Sequence, residues 1–221
     1  MSTTTSGAFV IALLGAESTG KTTLAAQMQA ALATPARRVG LVTEYLREFC
    51  EREGRTPRED EQRGIAREQT RRIACAAASH DIVVADTTAL MIAVYSDQVF
   101  DDGSLYAEAS TAQAACQLTL LTALDLPWLP DGHMRDGPHV RDPVDAKVRA
   151  ALAAARLPYS VIAGQGPTRL QAALAAVERA LNPPLLDTAD TDAAPGTRWR
   201  WHCERCGDAN CERHTLLPRQ R

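Results

Sequence analysis

The sequence predicts an α/β domain with a doubly wound parallel sheet over residues 8 to 182, a linker over 183 to 197 and a small cysteine-containing tail over 198 to 221. Three observations carry this. Short apolar runs recur along the chain, each followed by a longer stretch with helical spacing. The runs are continuous rather than alternating, which suits strands buried on both faces. Strands that alternate with helices of ten or more residues imply right-handed crossovers and hence a parallel sheet, here of about five strands with helices on both faces.

FVIALL (9 to 14) is the first run and ends in a glycine-containing turn. A helix is expected over roughly 21 to 33, stopping before Pro35. A second strand, about 39 to 43, leads into EYLREFCERE, whose spacing and charge are helical. Pro57 stands where a further helix should start, with Asp60 and Glu61 in its first turns, and that helix is expected to run to Ser79. DIVVAD (81 to 86) reads as the third strand. Helices are expected over 88 to 97 and 104 to 115, divided by the turn DDGS. LTLLTAL (118 to 124) is the fourth apolar run. The stretch after it, with four prolines and two glycines between 126 and 143, predicts irregular structure over 127 to 142. An alanine-rich helix follows from 145 to 156, then a strand, YSVIAG (159 to 164), and a closing helix over 167 to 181.

Composition excludes several classes. At 221 residues the chain is long enough for a sizeable core, and 45% hydrophobic with 23% charged residues is ordinary for a globular protein. A net charge of −3 provides no basic field, so a nucleic-acid partner is not expected. The N-terminus lacks the basic segment of a signal peptide, and the run at 9 to 14 is too short to cross a bilayer. A cytoplasmic protein with no membrane partner is the expectation, and a homodimer is left open.

Gly15-Ala-Glu-Ser-Thr-Gly20-Lys21-Thr22 satisfies G-x-x-x-x-G-K-[ST] at every position. Such a loop turns successive backbone N–H groups inward on phosphates, and the following helix aims its positive end at the same anion. With a strand before it and a helix after it, the motif predicts the P-loop NTPase fold. Gly15, Glu17, Ser18, Thr19, Gly20, Lys21, Thr22 and Thr23 form the candidate ATP-binding set. Lys21 is expected to reach the β- and γ-phosphates, and Thr22 to place its hydroxyl on Mg2+. Asp86 ends an apolar strand at the edge where ligands of open α/β sheets collect, which makes it the candidate second magnesium-holding acid. The alternative is that Asp86, with Thr87 or Thr88, caps the next helix.

No N-K-x-D element for reading guanine is present, and the size favours a small-molecule kinase over a motor ATPase. GAESTGKTTL, VTEYLRE, VVADTT and PWLPDGHMRD, spread in that order over about residues 9 to 181, resemble the ribosylnicotinamide kinase domain of NadR-type proteins, small P-loop kinases of the AAA type. The resemblance implies ATP-dependent phosphorylation of the 5′-hydroxyl of nicotinamide riboside, giving its mononucleotide. Two departures stand out. Only fourteen residues precede Gly15, where such proteins carry a nucleotidyltransferase domain, so adenylyl transfer is not expected. The match also stops before the cysteine tail. A regulatory ATP-binding switch and a kinase for another metabolite remain competing readings.

Glu44 follows the second strand at the same sheet edge as the P-loop, where it can bind ribose hydroxyls or orient the attacking one. Arg47 lies one turn on, and the pair reads equally as a helix-surface ion pair. Tyr45 suits either stacking on a base or packing in the core. In the irregular segment, Arg135 and Arg141 suit a lid that neutralises phosphate charge, Asp131 suits substrate hydroxyls, and Trp128 suits stacking on a pyridinium-like ring. In the tail, Cys203-x2-Cys206-x4-Cys211-x2-His214 places four ligands within twelve residues, a set suited to structural Zn2+. Free thiols in a disordered tail and a redox pair are the alternatives.

Overall fold

The structure is a computed structural model that describes residues 7 to 129 and 137 to 182. Five strands form one parallel sheet in the order β2-β3-β1-β4-β5, with β1 Phe9–Leu14, β2 Val39–Val42, β3 Ile82–Asp86, β4 Leu118–Thr122 and β5 Ser160–Ile162. The connecting helices are α1 Lys21–Leu32, α2 Tyr45–Glu53, α3 Glu59–Ala77, α4 Ala89–Phe100, α5 Tyr106–Ala114, α6 Arg141–Ala154 and α7 Gly166–Leu181. No helix among the described residues is long and apolar enough to cross a membrane.

Successive residues of a strand point to opposite faces, and the two faces carry separate cores. On one, Ile11, Leu13, Val84 and Leu120 pack with Leu24 and Met28 of α1 and Ala173 and Val177 of α7. On the other, Leu14 and Leu121 pack with Ile65 of α3, Leu90 and Val94 of α4, and Val144 and Val148 of α6. This double coverage explains why the strands read as unbroken apolar runs.

The elements end where local chemistry stops them. Gly54 closes α2 in the left-handed conformation, its N–H bonded to Cys50 O at 2.8 Å. Asp101, also left-handed at φ 57°, ends α4 after Phe100, beyond the expected end at 97. The segment expected to be irregular over 127 to 142 also needs correction at its far end. A 3-10 turn occupies Pro138–Val140 and α6 begins at Arg141, four residues earlier than expected. Pro143 misleads the sequence reading because it falls in the first turn of α6, where a backbone N–H has no helical partner to lose.

Outside the cores, α3 is laced with charge pairs. Glu61 takes two 2.7 Å bonds from Arg55 and one of 2.8 Å from the Arg58 backbone N–H. The Arg55 bonds first, and the Arg58 bond second, lower its carboxyl from 4.5 to about 2. Arg71 and then Arg72 do the same for Glu68, also to about 2. A depressed carboxyl contributes stability that is complete above its unfolded value of 4.5 and is lost as pH falls toward about 2. Thermal midpoints followed from about pH 6 down to about pH 3 should therefore fall less steeply for Glu61→Gln than for the wild type.

Candidate functional site

Parallel strands deliver their carboxyl ends to one edge of the sheet, and there the site is built. β1 passes into Gly15 at φ 146°, a conformation that favours glycine. A Cβ at Gly15 would collide with Thr122 Oγ1 and lie 3.1 Å from Thr19 Oγ1. Thr122, wholly buried at the end of β4, sets its hydroxyl 2.7 Å from Thr19 Oγ1 and 3.1 Å from Leu14 O. Thr19 in turn donates to Ala16 O at 2.8 Å. This chain of hydroxyls braces the loop from beneath.

The loop continues through Ser18 in the left-handed region at φ 52° and Gly20 at φ 75°, which caps α1. No acidic residue occupies the first turn of α1, so its positive end is not neutralised from within. Lys21 Nζ donates to Ala16 O at 2.9 Å, folded over the loop. Thr22 and Thr23 are exposed in that first turn, and Glu17 is half-buried.

Asp86 lies beside Leu13 in the β1–β3 register, two residues short of Gly15 on the neighbouring strand. It is 2% exposed, and its Oδ1 has no hydrogen-bond partner among the described residues. The cap of α4 is Thr88, whose hydroxyl accepts from Leu90 N, so the helix makes no demand on Asp86. Glu44 stands just beyond β2 as the first flanking residue of α2, and its carboxylate does not cap that helix. Its Oε2 is 4.0 Å from Arg47 Nε, at the limit of an ion pair. The Tyr45 ring packs against the core with the Arg72 guanidinium 4.3 Å from its centroid. Arg72 also binds Glu48 at 2.6 Å, where burial raises the carboxyl but bonds from Arg72 and Thr43 outweigh it and hold it below its ordinary value.

After β4 the chain runs past the loop. Ser18 Oγ donates to Leu129 O at 2.8 Å and lies 3.2 Å from Leu129 N. Trp128 is half-buried, and its indole N–H is buried without a partner among the described residues. Arg141, 9% exposed, has two buried guanidinium nitrogens, Nε and Nη2, in the same condition. Asp131, Arg135 and the tail ligands Cys203, Cys206, Cys211 and His214 lie outside the described residues. Among the described residues no cluster of three or more His, Cys, Asp or Glu forms a metal centre.

Three supporting residues escape the sequence reading. Thr122 has a signal, since it is a polar residue inside the apolar run 118 to 124, and the structure places it at the last position of β4. Arg169 and Gln69 had another, because each interrupts an apolar helix stripe: Arg169 with Ala173, Ala176 and Val177, and Gln69 with Ile65 and Ala66. Arg169, 4% exposed, donates at 2.8 Å each to Asp125 Oδ1, Gly164 O and Thr19 O. Asp125 completes the tie by accepting Gly164 N–H at 2.6 Å. Burial raises its carboxyl, but the Arg169 and Gly164 bonds together hold it below its ordinary value. Gln69, wholly buried, bonds Thr43 O, Tyr45 N and Thr87 O.

With this geometry in place, residues 10–169 match the family model of the AAA domain. The chain belongs to the AAA domain family. Its fold is also similar to NadR protein in complex with NR (TM-score 0.65, 21% identity, 79% of this chain against 51% of that one). A second NadR structure, in complex with NAD and AMP-PNP, matches at TM-score 0.64 and 21% identity, over 78% of this chain and 49% of the other. This AAA-domain chain thus spans about half the length of the NadR chains it matches. Thymidylate kinase from Ehrlichia chaffeensis matches at TM-score 0.54 and 14% identity, over 78% of this chain and 98% of that one. At these identities the likeness is one of fold. A search of curated proteins finds no match.

In this AAA domain Arg169 ties α7 to the P-loop backbone and to the ends of β4 and β5. Arg169→Met should lower stability by about 2–4 kcal/mol, because Asp125 and several carbonyls lose a charged donor. Urea denaturation measures the loss, and nucleotide affinity should fall with it.

Proposed function

We propose that this chain is an ATP- and Mg2+-dependent kinase that transfers the γ-phosphoryl group to a hydroxyl of a small nucleoside-type metabolite, and that the metabolite is nicotinamide riboside. The observation that carries the proposal is that Asp86 ends β3, the strand paired with β1, while Glu44 follows β2, the next strand out, at the same edge of the sheet. Asp86 is buried with an oxygen unengaged among the described residues, and Thr88 does the capping in its place. The similarity of fold to NadR bound to NR and to thymidylate kinase supports a nucleoside-type acceptor.

The loop amides from Gly15 to Thr22 and the α1 N-terminus hold the phosphates of ATP. Gly15 fits that task, since the space a Cβ would need is taken by the brace. Lys21 exchanges its bond to Ala16 O for phosphate oxygens. Thr22 and Asp86 would hold Mg2+, which neutralises charge on the phosphate oxygens. The acceptor hydroxyl oxygen forms the new bond to γ-phosphorus as the bond to the β–γ bridging oxygen breaks. The hydroxyl proton passes to the Glu44 carboxylate, and ADP departs. Arg141, with Arg135 from the lid, balances the charge spread over the transferring group, while Trp128 and Asp131 hold the acceptor. Tyr45 and Arg47, on α2 next to Glu44, contribute to acceptor binding.

ADP release from ATP should rise when nicotinamide riboside is added, and the mononucleotide should appear in equal amount. Lys21→Ala should abolish both, and Asp86→Asn should lower kcat by about 10²-fold or more. If a panel of nucleosides gives no stimulation despite tight ATP binding, the kinase reading falls and the regulatory switch takes its place.

For the tail we propose structural zinc on Cys203, Cys206, Cys211 and His214. The purified chain should carry about one zinc, and Cys206→Ser should lose it by elemental analysis.

A further inference from the structure

The ladder between β2 and β3 runs to Val42 and Ala85 and stops there, one residue before Asp86 and two before Glu44. The two carboxylates therefore stand on backbone that no strand pairing holds together. One side chain spans that gap. Gln69, on α3 and wholly buried, receives Tyr45 N–H on Oε1 at 2.8 Å and donates from Nε2 to Thr43 O at 3.3 Å and Thr87 O at 3.0 Å. Thr43 and Tyr45 flank Glu44, and Thr87 follows Asp86. A neutral amide with two donors and one acceptor thus grips both sides of one carboxylate and the far side of the other.

Thr87 bears the mark of this grip. It is 1% exposed and lies at φ 78°, a conformation costly for a β-branched residue. Its N–H is pinned to Leu13 O at 3.1 Å and its C=O to Gln69, so the strained turn is held from both ends.

We propose that Gln69 is a positioning residue that locks Glu44 and Asp86 into one constellation beside the P-loop. This rests on the reading that those carboxylates serve phosphoryl transfer. Among the described residues none of Gln69's hydrogen bonds goes to the P-loop, so its effect belongs to kcat and to coupling between the two acids.

The test is a double-mutant cycle on the full chain, with nicotinamide riboside as acceptor. Gln69→Met should lower kcat about tenfold or more while KM for ATP changes less than about twofold. Combined with Glu44→Gln or Asp86→Asn, it should add far less than its own factor, a shortfall of about tenfold from the product of the single losses. Gln69→Glu keeps an oxygen for Tyr45 N–H and guards against a Met variant that fails to fold. It should show the same kcat-selective loss. Multiplicative losses, or a matching rise in KM for ATP, would overturn the inference while an active wild type keeps the kinase reading. A wild type that phosphorylates no acceptor overturns both.

Discussion

Parallel pairing of β1 with β3 on one side and β4 on the other is the constraint on which the rest of this molecule depends. Leu13 opposite Asp86 and Leu14 opposite Leu121 bring an acid and a hydroxyl to either side of the chain just before Gly15. A slip of one residue would turn those side chains to the opposite faces of the sheet. The apolar pattern prevents it, because Ile11 and Leu13 belong to one core and Leu14 to the other. Register, and with it the site, is thus set by hydrophobic burial on both faces.

At the carboxyl edge the ladder ends, and backbone groups still need partners once they are out of reach of water. Helices on the two faces supply them. Gln69 comes from α3 on one face and ties the ends of β2 and β3. Arg169 comes from α7 on the other and ties the ends of β4 and β5 to the loop at Thr19. Thr122 works from within the sheet. The candidate site therefore hangs on three buried polar side chains outside the phosphate-binding motif, of which Arg169 and Thr122 bond to it at Thr19.

Charge follows the same separation. Ion pairs along α3 lie outside the cores and hold Glu61 and Glu68 well below their ordinary range. Arg141, by contrast, buries two guanidinium nitrogens that have no partner among the described residues. An anion at that place would meet a cation already stripped of water, which strengthens the attraction.

The sequence by itself determined the strands, the phosphate loop and Asp86 as a strand-end acid. These follow from local rules: continuous apolar runs, glycines at fixed spacing, and a polar residue closing a buried strand. It misjudged the start of α6, since Pro143 reads as a breaker until its place in the first turn is known. That Asp86, with Thr87 or Thr88, caps α4 is open on sequence alone; the structure gives the cap to Thr88, whose hydroxyl meets Leu90 N. Gln69, Arg169 and Thr122 were beyond its reach as supports, because their partners lie far off in the chain. Tertiary structure alone decided which backbone each one holds, since a buried amide or guanidinium is placed by the unpaired groups around it and not by its neighbours in sequence.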